Sequence, residues 1–455
     1  MGATRHTQER DLSGTVGEFF GGSGRRIRDG VWGDVPIDRA ARMLLESGAL
    51  TRLKGMGQLG FAAQAFPDAR HTRFDHSVGV YHLTRLTLKK IMDSGAYLEN
   101  RDVQGALAAA LLHDAARYPY AQAVEDIALP GMTSTQELSR RLIEDSEVAE
   151  VLSKEWDLEP HNVFRLVARE PGAEPHSLTP TEHLVRDILF GALDANALDY
   201  LLRDARGTKV PYGMVDTEAL IQALKIVGQE NRAILAVDEE GAGSLQSLVF
   251  CRYLMHYNVY GHHALRIPTV MFLRAVQDAV QAGNVSPEKL ARQNDAGALV
   301  VVQESAQSDS STAALTRRLA DRRPYHRALE FDERHPNYAS LIRLREDASW
   351  RRRVEEAWAS YLTRYRKGTA GPFDILIDLP RKEKFSMDLR LIRPASLPWE
   401  RSLTDWQGLS GMTEEDMTRY YASLRRVRIV TATNDLATSV RRHAEELFTI
   451  AEEVG

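Results

Sequence analysis

Apolar residues recur at three- and four-residue spacing through Ala41–Leu53, Val78–Ile91, Val103–Ala116, Leu138–Leu152, His183–Leu202 and Leu245–Val280. That period lines one face of a helix and does not fit the two-residue alternation of a half-buried strand. Residues from about 38 to 290 are therefore expected to pack as helices, with Asp102 capping the one that starts near Val103. The texture of the rest differs. Short β-rich runs stand at Ile234–Val237, Ala298–Val302, Phe373–Leu379, Leu389–Ile392 and Val427–Thr433, among helices and Pro/Gly turns. The polar stretch Gln303–Ser311 reads as an exposed loop. Residues 1–30 carry few core formers and a cluster from Gly21 to Gly24 ahead of Arg25, Arg26 and Arg28, which reads as a flexible head. The expectation is a mainly α protein: a head over 1–30, a helical body over 31–290 and an α+β lobe over 291–455, with a soft boundary near 280–325. There is no internal repeat and no heptad run long enough for a coiled coil.

Composition removes whole classes of chemistry. With 455 residues and one cysteine, Cys251, the chain can form no internal disulfide and no CxxC zinc or iron–sulfur site. Against 63 Asp and Glu stand 58 Lys and Arg, a net charge of −5, which argues against a nucleic-acid coat. The longest apolar run, Gly105–Leu112, falls far short of the roughly 20 residues that span a bilayer. The N-terminal MGATRHTQERDL lacks the apolar core of a secretory leader. A soluble cytoplasmic protein without a membrane partner is expected.

No phosphate loop, HExxH or GxSxG motif is present. What stands out is a set of histidines and carboxylates on separate expected helices: His76, the adjacent His113 and Asp114, and the acidic segment Asp194–Asp204. Imidazoles and carboxylates from different helices are a usual way to hold a divalent ion inside a bundle. Adjacent side chains diverge by about 100° on a straight helix, so His113 and Asp114 can meet one ion only near a helix end.

The strings around these residues carry a likeness. Gly57-Gln58-Leu59-Gly60, Phe66-Pro67 and His71-Thr72-Arg73-Phe74-Asp75-His76 precede Leu111-Leu112-His113-Asp114. Leu193–Asp204 then leads to Thr208 and Tyr212-Gly213, followed by Arg252-Tyr253-Leu254-Met255-His256 and Val259-Tyr260-Gly261-His262. In this order, and with Ile375–Lys382 beyond, they resemble the HD-domain phosphohydrolases, and most closely their deoxynucleoside triphosphate triphosphohydrolase branch. The likeness extends over about 30–385. It implies an HD-domain helical bundle followed by an α+β C-terminal lobe.

It also implies a site. In that branch one divalent metal is held by a motif histidine, the HD pair and a later aspartate, and water attacks the α-phosphorus of a nucleotide. The matching ligands are His76, His113, Asp114 and, in place of the aspartate, Asn196. Asp194 and Asp199 stand near enough in sequence to substitute. Which metal (Mg, Mn, Fe, Co, Ni or Zn) is not distinguishable. The next family position, a phosphate-binding Arg or Lys, is Ala197. Family histidines after the HD pair are replaced by Arg117 and Gln122, and by residues near Thr135–Glu137, so Arg117 and Glu125 become the substitute catalytic groups. Gln58 and Leu59 match sugar contacts, Arg73 and Arg252 match phosphate contacts, and Tyr200, Asp204, His256 and Tyr260 match pocket residues. His256 is placed with the catalytic groups. His262 matches the histidine of the VYxHK helix, while His71 and His263 read as structural or surface residues.

Two functions follow. One is a metal-dependent phosphohydrolase acting on a small-molecule nucleotide or related phosphate ester. The other is a degenerate HD protein that binds a nucleotide without turnover. A phosphodiesterase or nuclease ranks behind both, and di-iron oxidation lacks the paired histidines it needs. Homo-oligomers are expected from the likeness alone.

Overall fold

The structure is a computed structural model and describes residues 25–124, 132–168, 178–229, 232–308, 310–365, 370–381, 390–393, 402–405 and 414–454. The chain opens with an antiparallel hairpin, β1 (Arg25–Asp29) and β2 (Gly33–Ile37), paired from Arg25↔Ile37 to Asp29↔Gly33. Residues 25–29, expected in the flexible head, are thus a strand, and Asp29 at its end is buried.

The helical body then builds in short pieces. Helices α1 (Arg39–Glu46) and α2 (Gly48–Leu53) break at Ser47, whose side chain accepts from Leu50 N. Helix α3 (Arg73–Asp93) starts at a capping box in which Thr72 and Asp75 satisfy each other's backbone N–H. Helix α4 (Asn100–Leu112) is buried from Val103 and along Gly105–Leu112, and its alanines let α3 pack close. Its N-cap is Glu99, one turn earlier than the Asp102 cap expected from sequence, and Asp102 at the third helical position answers the Glu99 N–H. Helices α5 (Thr135–Glu144), α6 (Glu147–Glu155) and α7 (Pro160–Val167) close one side of the body, and α8 (Pro180–Phe190) and α9 (Ala195–Thr208) return across it.

A second hairpin, β3 (Leu224–Gln229) with β4 (Arg232–Asp238), leads into α10 (Ala242–Met255). The next five residues, His256–Tyr260, form a π turn before α11 (His263–Gln281). Single π turns inside helical runs recur at functional sites because they re-aim side chains. Helix α12 (Asp295–Ser305) occupies the run Ala298–Val302 expected as a strand, and takes in Gln303–Ser305 of the expected loop. The run is apolar without a clear period, and burial of Ala298 and Val302, four apart, settles it as a helix.

After α13 (Ser311–Ala320) the C-terminal lobe forms around an antiparallel sheet. Strand β5 (His326–Phe331) precedes α14 (Ala348–Thr363) and β6 (Ile375–Asp378). Strands β7 (Arg390–Arg393) and β8 (Ser402–Asp405) follow, then β9 (Val427–Thr431) between β5 and β6, and finally α15 (Asn434–Arg442) and α16 (Ala444–Glu453). The expected strands at 234–237, 373–379, 389–392 and 427–433 are all present. One crossing was not expected: β7 pairs parallel with β4, Val237 opposite Leu391, so the far end of the chain returns to the helical body. Nor does packing break at 290, because one buried cluster joins Met271 and Phe272 of α11 to Val302, Leu319, Leu376 and Val430. No described helix is long and apolar enough to cross a membrane.

The lobe is tied by charge as well as packing. Glu330 accepts from Arg327, Arg426 and Arg428 at 2.8, 2.8 and 3.2 Å. Burial raises its carboxyl, but Arg428 and the other two arginines bring it down to about 2. Its folded pKa thus lies below the unfolded value of about 4.3, so this stability is present above pH ~5 and lost as pH falls towards 2. Relative to the wild type, Glu330→Gln is expected to be less stable by about 1–2 kcal/mol at pH 6, after allowing for solvent screening of a partly exposed group. Urea unfolding should show that gap closing between pH 5 and 2; a gap that stays constant would count against the ion cluster.

Candidate metal centre

Three helices and one turn build the centre. The capping box sets the start of α3, placing Arg73 in its first turn and His76 just above, both buried. Helix α4 ends at Leu112, so His113 is its C-cap and Asp114 falls in the turn beyond. The divergence of neighbouring helical side chains is thereby relieved, and ligand atoms of His76, His113 and Asp114 lie within 4.8 Å of one another. Helix α9 supplies the opposing wall. Asp194 caps it by accepting from Ala197 N, and Asn196 projects from its first turn.

Hydrogen bonds decide which atoms are bare. Nδ1 of His76 lies 2.7 Å from Asp199 Oδ2 and Nδ1 of His113 lies 2.8 Å from the Ala110 carbonyl. Both partners only accept, so both Nδ1 atoms carry the proton and both Nε2 atoms present lone pairs. Those two Nε2 atoms stand 3.3 Å apart, and Asn196 Oδ1 stands 2.9 Å from His76 Nε2. Two nitrogens each roughly 2.0–2.1 Å from one ion stand about 3 Å apart, so the spacing suits a shared cation. Facing lone pairs repel, and one proton can bridge only one pair of them. A divalent ion fits the whole set.

Behind the ligands lies a buried chain of charge. Asp199 is fully enclosed and receives Trp32 Nε1 at 2.5 Å and two N–H groups of Arg203 at 2.8 and 2.9 Å. Arg203 in turn meets Asp29 of β1 at 2.9 Å. Burial pushes the Asp199 carboxyl up, but Arg203 and the His76 hydrogen bond outweigh it and hold it well below the usual carboxylate range. Asp199 therefore orients a ligand from behind, and Asp194 is engaged as a helix cap, so neither substitutes for Asn196. Gly79, one turn above His76, leaves room for this chain: a Cβ there would stand 1.8 Å from Asp199 Oδ1.

Two arginines meet the remaining ligand. Arg73 Nη1 donates to Asp114 Oδ2 at 2.5 Å and Arg117 Nε to Asp114 Oδ1 at 2.9 Å. Arg52 fixes the turn that carries Asp114 and Arg117 by donating to the carbonyls of Ala115 and Arg117. Further along α9, Asp204 accepts from Tyr260 OH at 2.8 Å and from His71 Nε2 at 2.7 Å. His71 thus belongs to this wall, which sequence did not indicate. Tyr200 packs edge-on to Tyr260 and bonds Arg252; burial raises its phenol, and the Tyr200 phenol raises the Arg252 guanidinium.

The remaining residues divide. His256 lies edge-on to Tyr260, and burial followed by Arg252 lowers it to about 4, so it is neutral at pH 7 and is no imidazolium donor there. Gln58 Oε1 is buried without a partner among the described residues, while Leu59 packs against the small cluster of Ala62, Ala69 and Leu265. His262 caps α11 by accepting from Ala264 N, and its ring lies against Phe66 and His263, away from the ligand cluster's own contacts. Glu125 and the side chain of Gln122 lie outside the described residues. Sequence reasoning missed Asp29, Trp32 and Gly79. Of these only Gly79 left a signal, a glycine in mid-helix three residues after a candidate ligand.

Residues 73–204 match the HD domain and residues 215–391 the HD associated region. Among curated relatives, an uncharacterized protein of Methanocaldococcus jannaschii is 26% identical over 59% of this chain and 53% of its own length. The uncharacterized protein YwfO of Bacillus subtilis is 29% identical over half of each chain. The deoxynucleoside triphosphate triphosphohydrolase SAMHD1 of Gallus gallus is 22% identical over 56% of this chain and 45% of its own. The chain spans about half the length of these relatives. Among solved structures, a phosphohydrolase from Bacteroides thetaiotaomicron superposes with a TM-score of 0.68 at 18% identity, over 90% of this chain and 100% of that one. That likeness shows a shared fold. The HD match contains every candidate ligand, with the HD associated region following it, and the chain belongs to the HD-domain superfamily, where it resembles the deoxynucleoside triphosphate triphosphohydrolase branch.

Proposed function

We propose that the chain is a metal-dependent HD-type phosphohydrolase that acts on a nucleotide or a related phosphate ester. The convergence of His76 Nε2, His113 Nε2, Asn196 Oδ1 and the Asp114 carboxylate carries this reading. An ion held there would neutralise charge on a phosphoryl group and acidify a water for attack on phosphorus. The protein's own part is positional. Asp199 fixes the His76 tautomer, and the Arg73 and Arg117 forks hold Asp114 beside the phosphate they are expected to meet. Gln58, Leu59, Tyr200, Asp204, Arg252, Tyr260 and His262 are assigned to substrate binding by the family likeness.

With His256 neutral, protonation of the leaving oxygen falls to another group, and Glu125 is our candidate. Ala197 removes a cation from the phosphate side, which favours a substrate with fewer phosphates than a nucleoside triphosphate. Assembly into a homo-oligomer and a cytoplasmic location complete the proposal.

A second reading, a nucleotide binder without turnover, draws on one observation: Arg73 and Arg117 are both engaged on Asp114, beside an uncharged fourth ligand. One variant separates the two. Asn196→Asp adds a charged ligand, so metal affinity is expected to rise at least tenfold, with phosphate release retained or increased. Metal content after purification without chelators, and phosphate release across a nucleotide panel, are the measurements. No bound ion and no release in either protein would leave only the binder standing.

A further inference from the structure

We propose that the recess between α11, α14 and β6, remote in sequence from the candidate centre, is an oxyanion site for free phosphate or a single phosphoryl group. It is a small recess that opens in part to solvent. Its polar lining is Arg266, Arg274, Gln277, Arg345, Arg351 and Asp378. Residues 266, 270, 273, 274 and 277 share one face of α11 at three- and four-residue spacing, which is why three of the polar groups converge.

The carboxylates nearby are already committed. Asp378 takes two N–H groups of Arg266, at 3.2 and 2.6 Å, and one from Arg428 at 3.3 Å. Glu355 takes both ends of the Arg274 fork and also accepts Ile377 N at 2.8 Å. Arg351, one turn before Glu355 on α14, forms no ion pair among the described residues. It donates Nη2 to Gln277 Oε1 at 3.1 Å, and its Nε is buried with no acceptor. Burial, then Arg274, brings its guanidinium down to about 10, so it is still charged at neutral pH. Arg345 enters from the other side, donating to the Leu379 carbonyl at 3.0 Å.

Arg351 is part-exposed with its Nε withdrawn from water, and a guanidinium N–H held there without an acceptor is costly; the expected remedy is an anion. The guanidinium groups lining the recess come from α11, from α14 and from Arg345 between β5 and α14, so positive charge surrounds it on several sides. Bound phosphate would pin α11 to α14 and β6. This site needs no metal and does not depend on turnover at the candidate centre.

Crystals soaked in tungstate, a phosphate mimic with a strong anomalous signal, test the location. Density within hydrogen-bond distance of Arg351 is expected; density confined to the candidate metal centre, or none, overturns the proposal. In solution, inorganic phosphate at constant ionic strength should raise the unfolding temperature by mass action. Arg351→Gln is expected to fold without phosphate and to weaken the apparent phosphate affinity at least tenfold, with Arg351→Lys intermediate. Equal phosphate stabilisation of wild type and both variants would overturn it too. A nucleoside monophosphate tested alongside separates the two sources: stabilisation matching that by phosphate indicates an attached phosphoryl group, and a response to phosphate alone indicates the free ion.

Discussion

His113→Ala is expected to leave the protein folded, strip it of its divalent ion and lower phosphate release at least about a thousandfold. The magnitude follows from the charge the ion brings to a phosphoryl group, several kcal/mol, with each 1.4 kcal/mol worth a factor of ten. Folding is expected to survive because His113 is a helix C-cap whose Nδ1 donates to the Ala110 carbonyl at the helix end. Its loss leaves that carbonyl short of one partner and opens a small cavity, a cost of about 1–3 kcal/mol. Metal analysis by mass spectrometry and phosphate release should fall together while circular dichroism is retained. Full activity in a metal-free His113→Ala protein would remove the basis of the proposed function.

Among the described glycines, Gly79→Ala is expected to be the most damaging change to alanine. Helix propensity alone favours alanine by about 1 kcal/mol. Against it, the new Cβ would stand 1.8 Å from Asp199 Oδ1 and 2.5 Å from Arg203 Nη2. Neither group can back away, since Asp199 is pinned by Trp32, His76 and Arg203, and Arg203 by Asp29. Separating a buried charge pair costs about 3–5 kcal/mol, so the net loss should be about 2–4 kcal/mol in urea unfolding. Metal retention should fall with it, because His76 loses the group that fixes its tautomer. Gly105→Ala is the matched control. Its Cβ meets only the end of the Leu166 side chain, at 3.3 Å, and its effect should stay within about 1 kcal/mol. Equal stability of the two variants would show that the Asp199 chain is not rigid.

Much of this architecture is legible in the sequence, for a definite reason. Helical periodicity over Val78–Ile91 and Val103–Ala116 reports which faces are buried, and burial is what holds α3 and α4 in place. Where period is absent, sequence misleads. Ala298–Val302 is apolar and β-branched like a strand, but its packing against α11 and α13 makes it helical. The cap of α4 moved from Asp102 to Glu99 because the two side chains can exchange roles across three residues.

The sequence by itself determined the helical body, three strands of the C-terminal lobe (β6, β7 and β9, though not β5 or β8), and His76, His113 and Asp114 as companions with no cysteine to share their work. Tertiary structure alone decided what each acidic group does. Asp194 and Asp199 are equivalent on paper, both near Asn196 and both able to bind a cation. In the fold one caps a helix and the other stands behind His76, held by a tryptophan, an arginine and the space at a glycine. A side chain's role depends on which partners reach its oxygens. For Asp199 two of those partners, Trp32 and His76, arrive from more than a hundred residues away, a separation that no local pattern records.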